Sequence, residues 1–286
     1  KNNFKSFDYI FCLGDRYEMA AAVLPAIPFG IKFIHLHGGE TSMGAIDNIY
    51  RDIISLSSHI HFVSCEKFKF RLKKLLNRSN NIFVSGSLSL QGIDKFKPSP
   101  LSELSTLCNI DLSKRFILVT VHPETVNPKN NKLFVNELVN ALKNLSFKWK
   151  ILITMPNNDT YGSIYRQAFN KLSKSRKKSV AIIENLGKQR YFTSLFFCDF
   201  LIGNSSSGII ESASFNKFVL NLGDRQKGRL KAKNIIDLPF VQSVIEDAAH
   251  KISGKTYTKS NPYYKKNPST YIKNKLKKIK WYFEIS

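Results

Sequence analysis

The sequence predicts an α/β protein made of two domains, each built on a parallel sheet. Short apolar runs alternate with helical patterns along the chain, and the runs contain few polar side chains. Strands of this kind are buried on both faces, which is typical of parallel sheets whose connections are helices. The chain has 286 residues, 43% of them hydrophobic. That is enough for two domains of ordinary size, each with a sizeable core.

The first series of strands and helices lies at the N-terminal end. Each apolar run stops at a glycine or a polar turn and is followed by a helical pattern. Asp47 falls in the first turn of one such helix, and Arg51 lies one turn later on the same face. Four strands are predicted here, in residues 7–13, 31–37, 59–65 and 81–86.

A second series follows residues 91–101, a proline-containing stretch that is predicted to be an interdomain linker. The expected domains are residues 1–93 and 94–267, and a C-terminal helix in residues 268–286 is expected to pack back on the first domain. Five further strands are predicted, in residues 115–121, 149–155, 179–185, 199–203 and 218–222.

The most informative stretch is a serine-rich turn, GNSSSG, that begins where the fourth strand of this second series ends. Ser205 and Ser206 lie in this turn, and a helix is predicted after it. Small residues before a helix offer backbone N–H groups, hydroxyls and the positive end of the helix dipole, which together bind phosphate. Glu211 is expected on the first helical turn, where a carboxylate caps the helix or binds ribose hydroxyls. For the serines alone, simple helix capping is the alternative.

Polar side chains collect where the predicted strands end. Ligands of parallel α/β sheets bind outside the carboxyl ends of the strands. Eight polar residues occupy equivalent positions there, and such a pattern is more than one or two chance placements would give: Asp15, Arg16, His37, Glu40, His122, Asn157, Ser205 and Arg225.

The formal net charge is +23, which raises the possibility of nucleic-acid binding. The lysines are spread along the whole chain, however, and the densest group is the last 36 residues, with ten lysines and one acid. A basic tail of this kind is typical of a solvated helix face. Nucleic acid is therefore not an expected partner, although anionic substrates would be attracted.

The cysteines and the hydropathy pattern indicate a protein of a reducing compartment. No apolar run reaches membrane-spanning length, and nothing at the N-terminus resembles a signal peptide. The expectation is a cytoplasmic protein without a membrane partner. Four cysteines lie far apart, without a CxxC pair, and are expected to be small buried side chains: Cys12, Cys65, Cys108 and Cys198.

Several chemistries are disfavoured by the motifs. The pairs His35/His37 and His59/His61 suggest zinc, but they are expected at opposite ends of their strands, and no cysteine joins them. GxGxxG, GxxxxGK[ST] and GxSxG are all absent, which disfavours a dinucleotide enzyme, a P-loop enzyme and a nucleophile-elbow hydrolase.

Acid–base chemistry on a phosphate-bearing ligand is what remains. Titratable groups stand at strand ends, and arginines are available to hold negative charge. For each carboxylate, helix capping or an ion pair with a neighbouring arginine is the alternative. The groups concerned are Asp15, Glu40, Asp47 and His122, with Arg16, Arg51 and Arg225.

Five motifs in this order resemble those of the UDP-N-acetylglucosamine 2-epimerase family. They are GDRYE, HLHGGETSMGAIDNIYRDI, TVHPET, MPNND and GNSSSGIIE followed by NLGDRQKGR. The HGGE and GNSSSG forms point to the hydrolysing branch, which supplies sialic-acid-like sugar synthesis. The resemblance implies a glycosyltransferase-B-like fold of two Rossmann-like domains with the active site in the cleft between them.

The resemblance also implies roles for individual residues. Asp15, Asp47 and His122 match catalytic positions, and His37 is treated as a site residue whose role is open. Ser205 and Ser206 would hold the diphosphate, Glu211 the ribose, and Arg225 the diphosphate or uracil side. The remaining substrate-binding residues implied are Arg16, Glu40, Arg51 and Asn157.

The implied reaction is elimination of UDP across C1–C2 of UDP-N-acetylglucosamine, followed by hydration to free N-acetylmannosamine. No metal or other cofactor is needed. A UDP-sugar is the expected ligand, and a homodimer or a homotetramer is compatible with the resemblance. The alternatives are the same reaction on a UDP-2,4-diacetamido-2,4,6-trideoxyhexose, a retaining glycosyltransferase, and a nucleotide-sugar binding module.

The chain departs from the family pattern in three places. Many relatives have a catalytic glutamate where this chain has His37, and position 48 is asparagine where an acid is usual. The family's N-terminal GTRxE-type motif does not occur in this sequence. The N-terminal domain is therefore expected to be incomplete in the sequence given.

Overall fold

The structure is a computed structural model that describes residues 7–42, 46–126, 128–156 and 161–279. The chain divides into two compact units. The first unit contains residues 1–41, 47–94 and 262–286, and the second contains residues 42–46 and 95–261. Both are α/β structures with parallel sheets, so the predicted fold class is confirmed for each unit.

The sheet of the first unit has four parallel strands in the described residues, in the order β1-β2-β3-β4. The predicted strands of this series are all present but shorter, because each keeps only the central residues of its apolar run. The strands are β1 (Ile10–Leu13), β2 (Phe33–Leu36), β3 (Ile60–Val63) and β4 (Ile82–Val84), and the helices among them are α1 (Tyr17–Val23), α2 (Asp47–Leu56) and α3 (Glu66–Leu76).

Apolar side chains cover both faces of this sheet. On one face, Cys12 and Phe33 pack with Val23 of α1 and Ile54 of α2. On the other face, Ile34 and Phe62 and their neighbours pack against Ile272. Ile272 belongs to a C-terminal helix, Pro268–Lys278, so this helix supplies part of the core of the first unit.

The sheet of the second unit has six parallel strands in the described residues, in the order β10-β9-β8-β5-β6-β7. The strands are β5 (Phe116–Thr120), β6 (Lys150–Thr154), β7 (Val180–Ile183), β8 (Leu201–Gly203), β9 (Val219–Leu222) and β10 (Ile235–Leu238). The helices are α4 (Leu101–Cys108), α5 (Asn131–Leu145), α6 (Gly162–Ser175), α7 (Gly187–Phe197), α8 (Ser206–Ile210) and α9 (Gln242–Ile252), and the C-terminal helix is α10.

The core of the second unit joins its sheet to α5, α6 and α9. Ile117, Ile151 and Leu220 of the strands pack with Val135 of α5 and Phe169 of α6 among a larger set of buried apolar side chains. The strands β5, β6 and β8 are almost fully buried, which explains their predominantly apolar sequences.

One strand of the second unit is missing from the sequence-based prediction. β10 pairs in parallel with β9 at the edge of the sheet. Its residues are only partly buried, and Asp237 interrupts the apolar run of four. Periodicity does not mark such an edge strand, because one side of it faces solvent.

All four cysteines are buried and none forms a disulfide, as the sequence predicts. Within the part of the chain that is described, none of the helices has the length and apolar character that crossing a bilayer requires.

The expectation that the two histidine pairs lie apart is wrong for His35 and His61. These residues are direct neighbours in the parallel pairing of β2 and β3, with ring centroids 6.4 Å apart. His35 is the third residue of β2 and His61 is the second residue of β3, and the register of these two strands places them side by side. Both rings are fully buried. Burial lowers the pKa of His35 to about 4 and that of His61 to about 3.

These two rings do not form a metal site. His35 Nε2 donates to the carbonyl of Gly14 at 2.8 Å, so Nδ1 accepts from the hydroxyl of Ser55 at 3.0 Å. His61 Nε2 lies 3.4 Å from the guanidinium of Arg78. In the described residues, no three histidine, cysteine or acidic side chains are grouped so that they could hold a metal ion.

We expect the stability of the protein to fall as the pH decreases from about 6.5 to 5. Both histidines are neutral in the folded chain but accept protons near pH 6.5 when unfolded, so acid favours the unfolded chain. Each should contribute a loss of roughly 1–2 kcal/mol at pH 5. Chemical denaturation at pH 7.5 and pH 5 measures the difference. The variant His35→Gln/His61→Gln should show a smaller pH dependence than the wild type, and an unchanged dependence would contradict the assignment.

Candidate functional site

The candidate site of the second unit lies where the direction of strand addition changes. From β5 the chain adds β6 and β7 on one side, and then returns to add β8, β9 and β10 on the other. The carboxyl ends of β5 and β8 therefore border a switch point, which is where open α/β sheets bind their ligands. His122 follows β5 and Ser205 follows β8, so this pairing brings two predicted site residues to the same edge.

Asn204 joins these two strand ends. Its amide oxygen accepts a hydrogen bond from the backbone N–H of His122 at 2.7 Å, and its amide nitrogen donates to the backbone carbonyl of His122 at 2.9 Å. Asn204 is fully buried and His122 is 8% exposed. The backbone of His122 is consequently held by a side chain that directly follows the neighbouring strand, β8.

The loop after β9 is attached to the same edge by three side-chain contacts. Glu124 accepts from the backbone N–H of Asp224 at 2.7 Å. Arg225 donates to the carbonyl of Pro123 at 2.8 Å. Gln226 donates to the carbonyl of Asn204 at 2.8 Å. The loops after β5, β8 and β9 are therefore one hydrogen-bonded assembly, and it contains the predicted residues His122, Ser205 and Arg225.

Glycines are required at two positions of this assembly. At Gly203, the last residue of β8, any side chain would collide with the backbone carbonyl of Thr120 on β5. Gly223 has a φ of 69°, and a side chain there would collide with the carboxylate of Glu124. Close approach of the strand ends thus depends on both residues.

Glu124 is buried, and this raises the pKa of its carboxyl, while the backbone N–H groups around it act in the opposite direction. The buried amide of Asn131 fixes the Glu124 backbone, accepting from its N–H at 2.9 Å and donating to its carbonyl at 2.9 Å. Glu124 therefore holds the β9 loop from a rigid position.

The serine turn differs from its prediction in one respect. Ser205 caps a short helix, α8, with its hydroxyl accepting from the N–H of Ser207. Because the helix begins within the serines, Glu211 lies at its C-terminal end and not on its first turn, so the expected position of Glu211 is wrong. Glu211 is 9% exposed. The helix has 5 residues, so hydroxyls and backbone groups matter here more than a helix dipole.

In the first unit, Arg51 organises the residues that follow β1 and β2. Arg51 is 1% exposed and forms an ion pair with Asp15. It also donates to the backbone carbonyl of Glu40 at 3.0 Å and to the side chain of Asn48 at 2.6 Å. The structure thus brings Asp15, Glu40 and Arg51 together around one buried guanidinium.

Two of the three other predicted residues of this unit, Arg16 and Asp47, are placed differently. Arg16 is 43% exposed and pairs with Glu18 through two hydrogen bonds of 3.1 Å. Asp47 is the first residue of α2, one turn before Arg51, as the helical pattern predicts.

His37 has an unusual backbone. Its φ is 66°, in the left-handed region, which a residue with a Cβ adopts at a cost of about 1–3 kcal/mol. Its Nε2 accepts from the backbone N–H of Leu88 at 3.3 Å, so Nδ1 carries the proton and faces the Glu40 carboxylate at 3.5 Å. Glu40 also accepts from the hydroxyl of Ser64 at 3.1 Å. Both nitrogens of the imidazole are therefore engaged.

Asn157, a predicted substrate-binding residue, lies outside the described residues. Five residues of the second-unit assembly are not in the predicted site. Asn204, Ser207 and Glu124 lie inside the recognised motifs, which is a signal that could have found them. Gln226 also lies inside one of these motifs, directly after Arg225. Tyr191, whose hydroxyl is 2.7 Å from Ser207, comes from α7 and has no local signal.

Two Rossmann-like units of this kind make up the glycosyltransferase-B-like fold. The chain belongs to the UDP-N-acetylglucosamine 2-epimerase family, because the model of that family matches residues 3–277. The family expected from the sequence motifs is thereby confirmed.

Two curated relatives are similar to this chain. GDP/UDP-N,N'-diacetylbacillosamine 2-epimerase (hydrolyzing) of Campylobacter jejuni is 35% identical over 250 residues, which cover 87% of this chain and 64% of that enzyme. UDP-N,N'-diacetylbacillosamine 2-epimerase (hydrolyzing) of Legionella pneumophila is 35% identical over 238 residues, covering 83% of this chain and 62% of that enzyme. The chain therefore spans less than two thirds of the length of these relatives.

A solved structure has the same fold. The UDP-GlcNAc 2-epimerase from Neisseria meningitidis bound to UDP-GlcNAc superposes with a TM-score of 0.78 at 18% identity. The superposition covers 95% of this chain and 76% of that one.

We expect Asn204→Ala to destabilise the protein. The variant leaves the buried backbone groups of His122 without their partner, which should lower the free energy of unfolding by roughly 2–4 kcal/mol. Urea denaturation followed by circular dichroism measures the loss. Asn144→Ala is the matched control, because Asn144 is an exposed amide that donates only to Glu246 in the described residues, at 3.0 Å. Equal effects of the two variants would show that Asn204 does not join the strand ends.

Proposed function

We propose that this chain carries the hydrolysing 2-epimerase activity on a UDP-linked 2-acetamido sugar. The observation that carries the proposal is the hydrogen-bonded assembly at the β5/β8 switch point, in a chain of this family. It gathers a histidine, hydroxyls and an arginine where a nucleotide diphosphate would bind. Acid–base groups and cationic support are what elimination of a diphosphate requires.

The reaction has two steps. A base removes the proton from C2 of the sugar, the C1–C2 double bond forms, and UDP leaves with the electrons of the C1–O bond. The oxygen of a water molecule then adds to C1, and C2 receives a proton. This proton is added on the face of the sugar opposite to the one from which the first proton was removed. The products are UDP and the free 2-epimer. The steps balance without a redox change.

The nucleotide is assigned to the second unit. Ser205 and Ser206 donate hydroxyl hydrogens to the diphosphate, and Arg225, held by the Pro123 carbonyl, supplies positive charge beside it. Glu211 accepts from ribose hydroxyls. Asn157 is assigned to the same substrate on the strength of its motif alone.

Proton transfer is assigned to Asp15, Asp47 and His122. The ion pair with Arg51 orients the carboxylate of Asp15, and an oriented carboxylate is a group that can act as a base. We assign Arg51 to holding Asp15 in place, since it is almost fully buried, and Arg16, which is more exposed, to the negative charge of the substrate.

The role assigned to His37 depends on its contact with Glu40. Because both ring nitrogens of His37 are engaged, we propose that His37 positions Glu40 and does not transfer a proton itself. The strained backbone of His37 is consistent with a position that function has fixed.

The sugar carried by UDP has two candidates. The names of the two relatives favour UDP-N,N'-diacetylbacillosamine, a 2,4-diacetamido-2,4,6-trideoxy sugar nucleotide. UDP-N-acetylglucosamine, the first expectation from the motifs, is the second candidate. The two differ at C4 and C6 of the sugar.

The activity is tested by incubating the full-length protein with each UDP-sugar in D₂O and following the products by NMR. We expect UDP and a free 2-epimerised sugar that carries deuterium at C2, because the second step takes that hydrogen from solvent. A UDP-linked epimer, transfer that needs an acceptor sugar, or no turnover at all would refute the proposed reaction. The better substrate is identified by the ratio of kcat/KM.

The assignment of proton transfer is tested by Asp47→Asn and His122→Ala. Each should lower kcat by a factor of about 10² or more, because general acid–base groups typically contribute that much. Asp247→Asn is the control, since Asp247 lies on α9 and takes no part in the assembly described. A variant that keeps the wild-type kcat removes its residue from the mechanism.

A further inference from the structure

A line of hydroxyl groups runs from the interior of the second unit to the serine turn. The Thr154 and Thr120 hydroxyls are 2.7 Å apart, and Thr120 also interacts with Tyr191, with which it lines the same small cavity. The Tyr191 hydroxyl is 2.7 Å from that of Ser207, which is 3.0 Å from that of Ser205. Four elements contribute to the line, so only the folded chain assembles it.

Tyr191 is the central member of this line. Burial, with a further contribution from the Glu211 carboxylate, raises the pKa of Tyr191 far above its ordinary value, so its phenol is always protonated. A small cavity of about 10 Å³ beside it is lined by Thr120, Gly203 and Ser205, among others. That space holds one water at most, so the hydroxyls bond one another and not a water chain.

The number of hydroxyl hydrogens in the line determines whether Ser205 can donate to a ligand. Each hydroxyl has one hydrogen to donate. When Tyr191 donates to Ser207 and Ser207 donates to Ser205, the hydrogen of Ser205 is available to an acceptor outside the line. In the opposite direction, the hydrogen of Ser205 is consumed by Ser207.

The line has an acceptor at its inner end as well. Thr154 donates to the backbone carbonyl of Val119 at 3.3 Å, so the opposite direction of donation also has a terminus. Which direction prevails therefore depends on an acceptor at Ser205. An anion there favours donation outwards, and hydrogen bonds in such a series strengthen one another.

We propose that Tyr191 is a positioning residue for the diphosphate, because its hydroxyl donates to Ser207 and thereby leaves the hydrogen of Ser205 directed towards the bound anion. The inference rests on the proposed function, in which Ser205 holds the diphosphate of a UDP-sugar. Tyr191 itself touches no substrate.

The test measures the Kd of UDP by calorimetry for the full-length wild type and for Tyr191→Phe, which keeps the ring and removes only the hydroxyl. We expect binding of UDP to weaken about 2- to 10-fold, the range for loss of one hydrogen bond between neutral groups. The Kd of uridine, which has no phosphate, should stay unchanged. A merely structural role would change both constants or neither.

A double-mutant cycle shows whether Tyr191 acts through Ser205. Since the hydroxyl of Tyr191 is useful only through that serine, Tyr191→Phe/Ser205→Ala should bind UDP no more weakly than Ser205→Ala alone. Ser207→Ala interrupts the same line and should weaken UDP binding in the same way. Tyr257→Phe is the matched control, since its hydroxyl donates to the Ser260 carbonyl at 3.3 Å, outside the line.

Two results would overturn the inference while leaving the proposed function intact. One is an unchanged Kd of UDP in Tyr191→Phe, and the other is a double variant in which the two effects multiply. A wild type that binds no UDP would refute the proposed function and this inference with it.

Discussion

The second unit depends on one buried side chain, the amide of Asn204. Where two strands of a parallel sheet end, the backbone groups that follow have no partner within the sheet. When such groups are buried, they must be hydrogen-bonded by something else. Asn204 satisfies both the N–H and the carbonyl of His122 across the β5/β8 switch point. The backbone carbonyl of Asn204 accepts a hydrogen bond from the side chain of Gln226, so the loop after β9 is held at the same edge of the sheet. An asparagine can do this because it carries a donor and an acceptor on one short, planar group.

The first unit solves a similar problem with a charge. Arg51 is buried, and a buried guanidinium is costly unless its charge and its donors are matched. Asp15 supplies the charge, and Asn48 and the Glu40 carbonyl each accept one further hydrogen. The loops after β1 and β2 are thereby fixed around α2. In both units, then, a single polar side chain inside the protein determines where the candidate reactive groups lie.

Much of this arrangement follows from sequence pattern. Apolar runs that stop at a glycine, a proline or a polar turn predicted nine strands, and the position of polar residues directly after them indicated the ligand-binding edge. The pattern failed at two elements. It missed β10, which is a half-exposed edge strand, and it placed the start of α8 one turn too late, because Ser205 caps this helix. It also separated His35 from His61, which the pairing of β2 and β3 makes neighbours. A register between strands is set by packing over the whole sheet and is not written in either strand alone.

The sequence by itself determined the fold class, the family and the residue types of the candidate site, because each is carried by contiguous motifs and by local hydrophobic periodicity. Only the tertiary structure decided how those residues are held. Tyr191 lies on α7, sixteen residues before Ser207, and Glu124 reaches a backbone N–H one hundred residues later. Such contacts depend on which strands are neighbours. The serine-rich turn is recognisable as a short sequence motif. The direction in which its hydroxyls donate, however, is set by side chains from distant parts of the chain that the fold brings next to it.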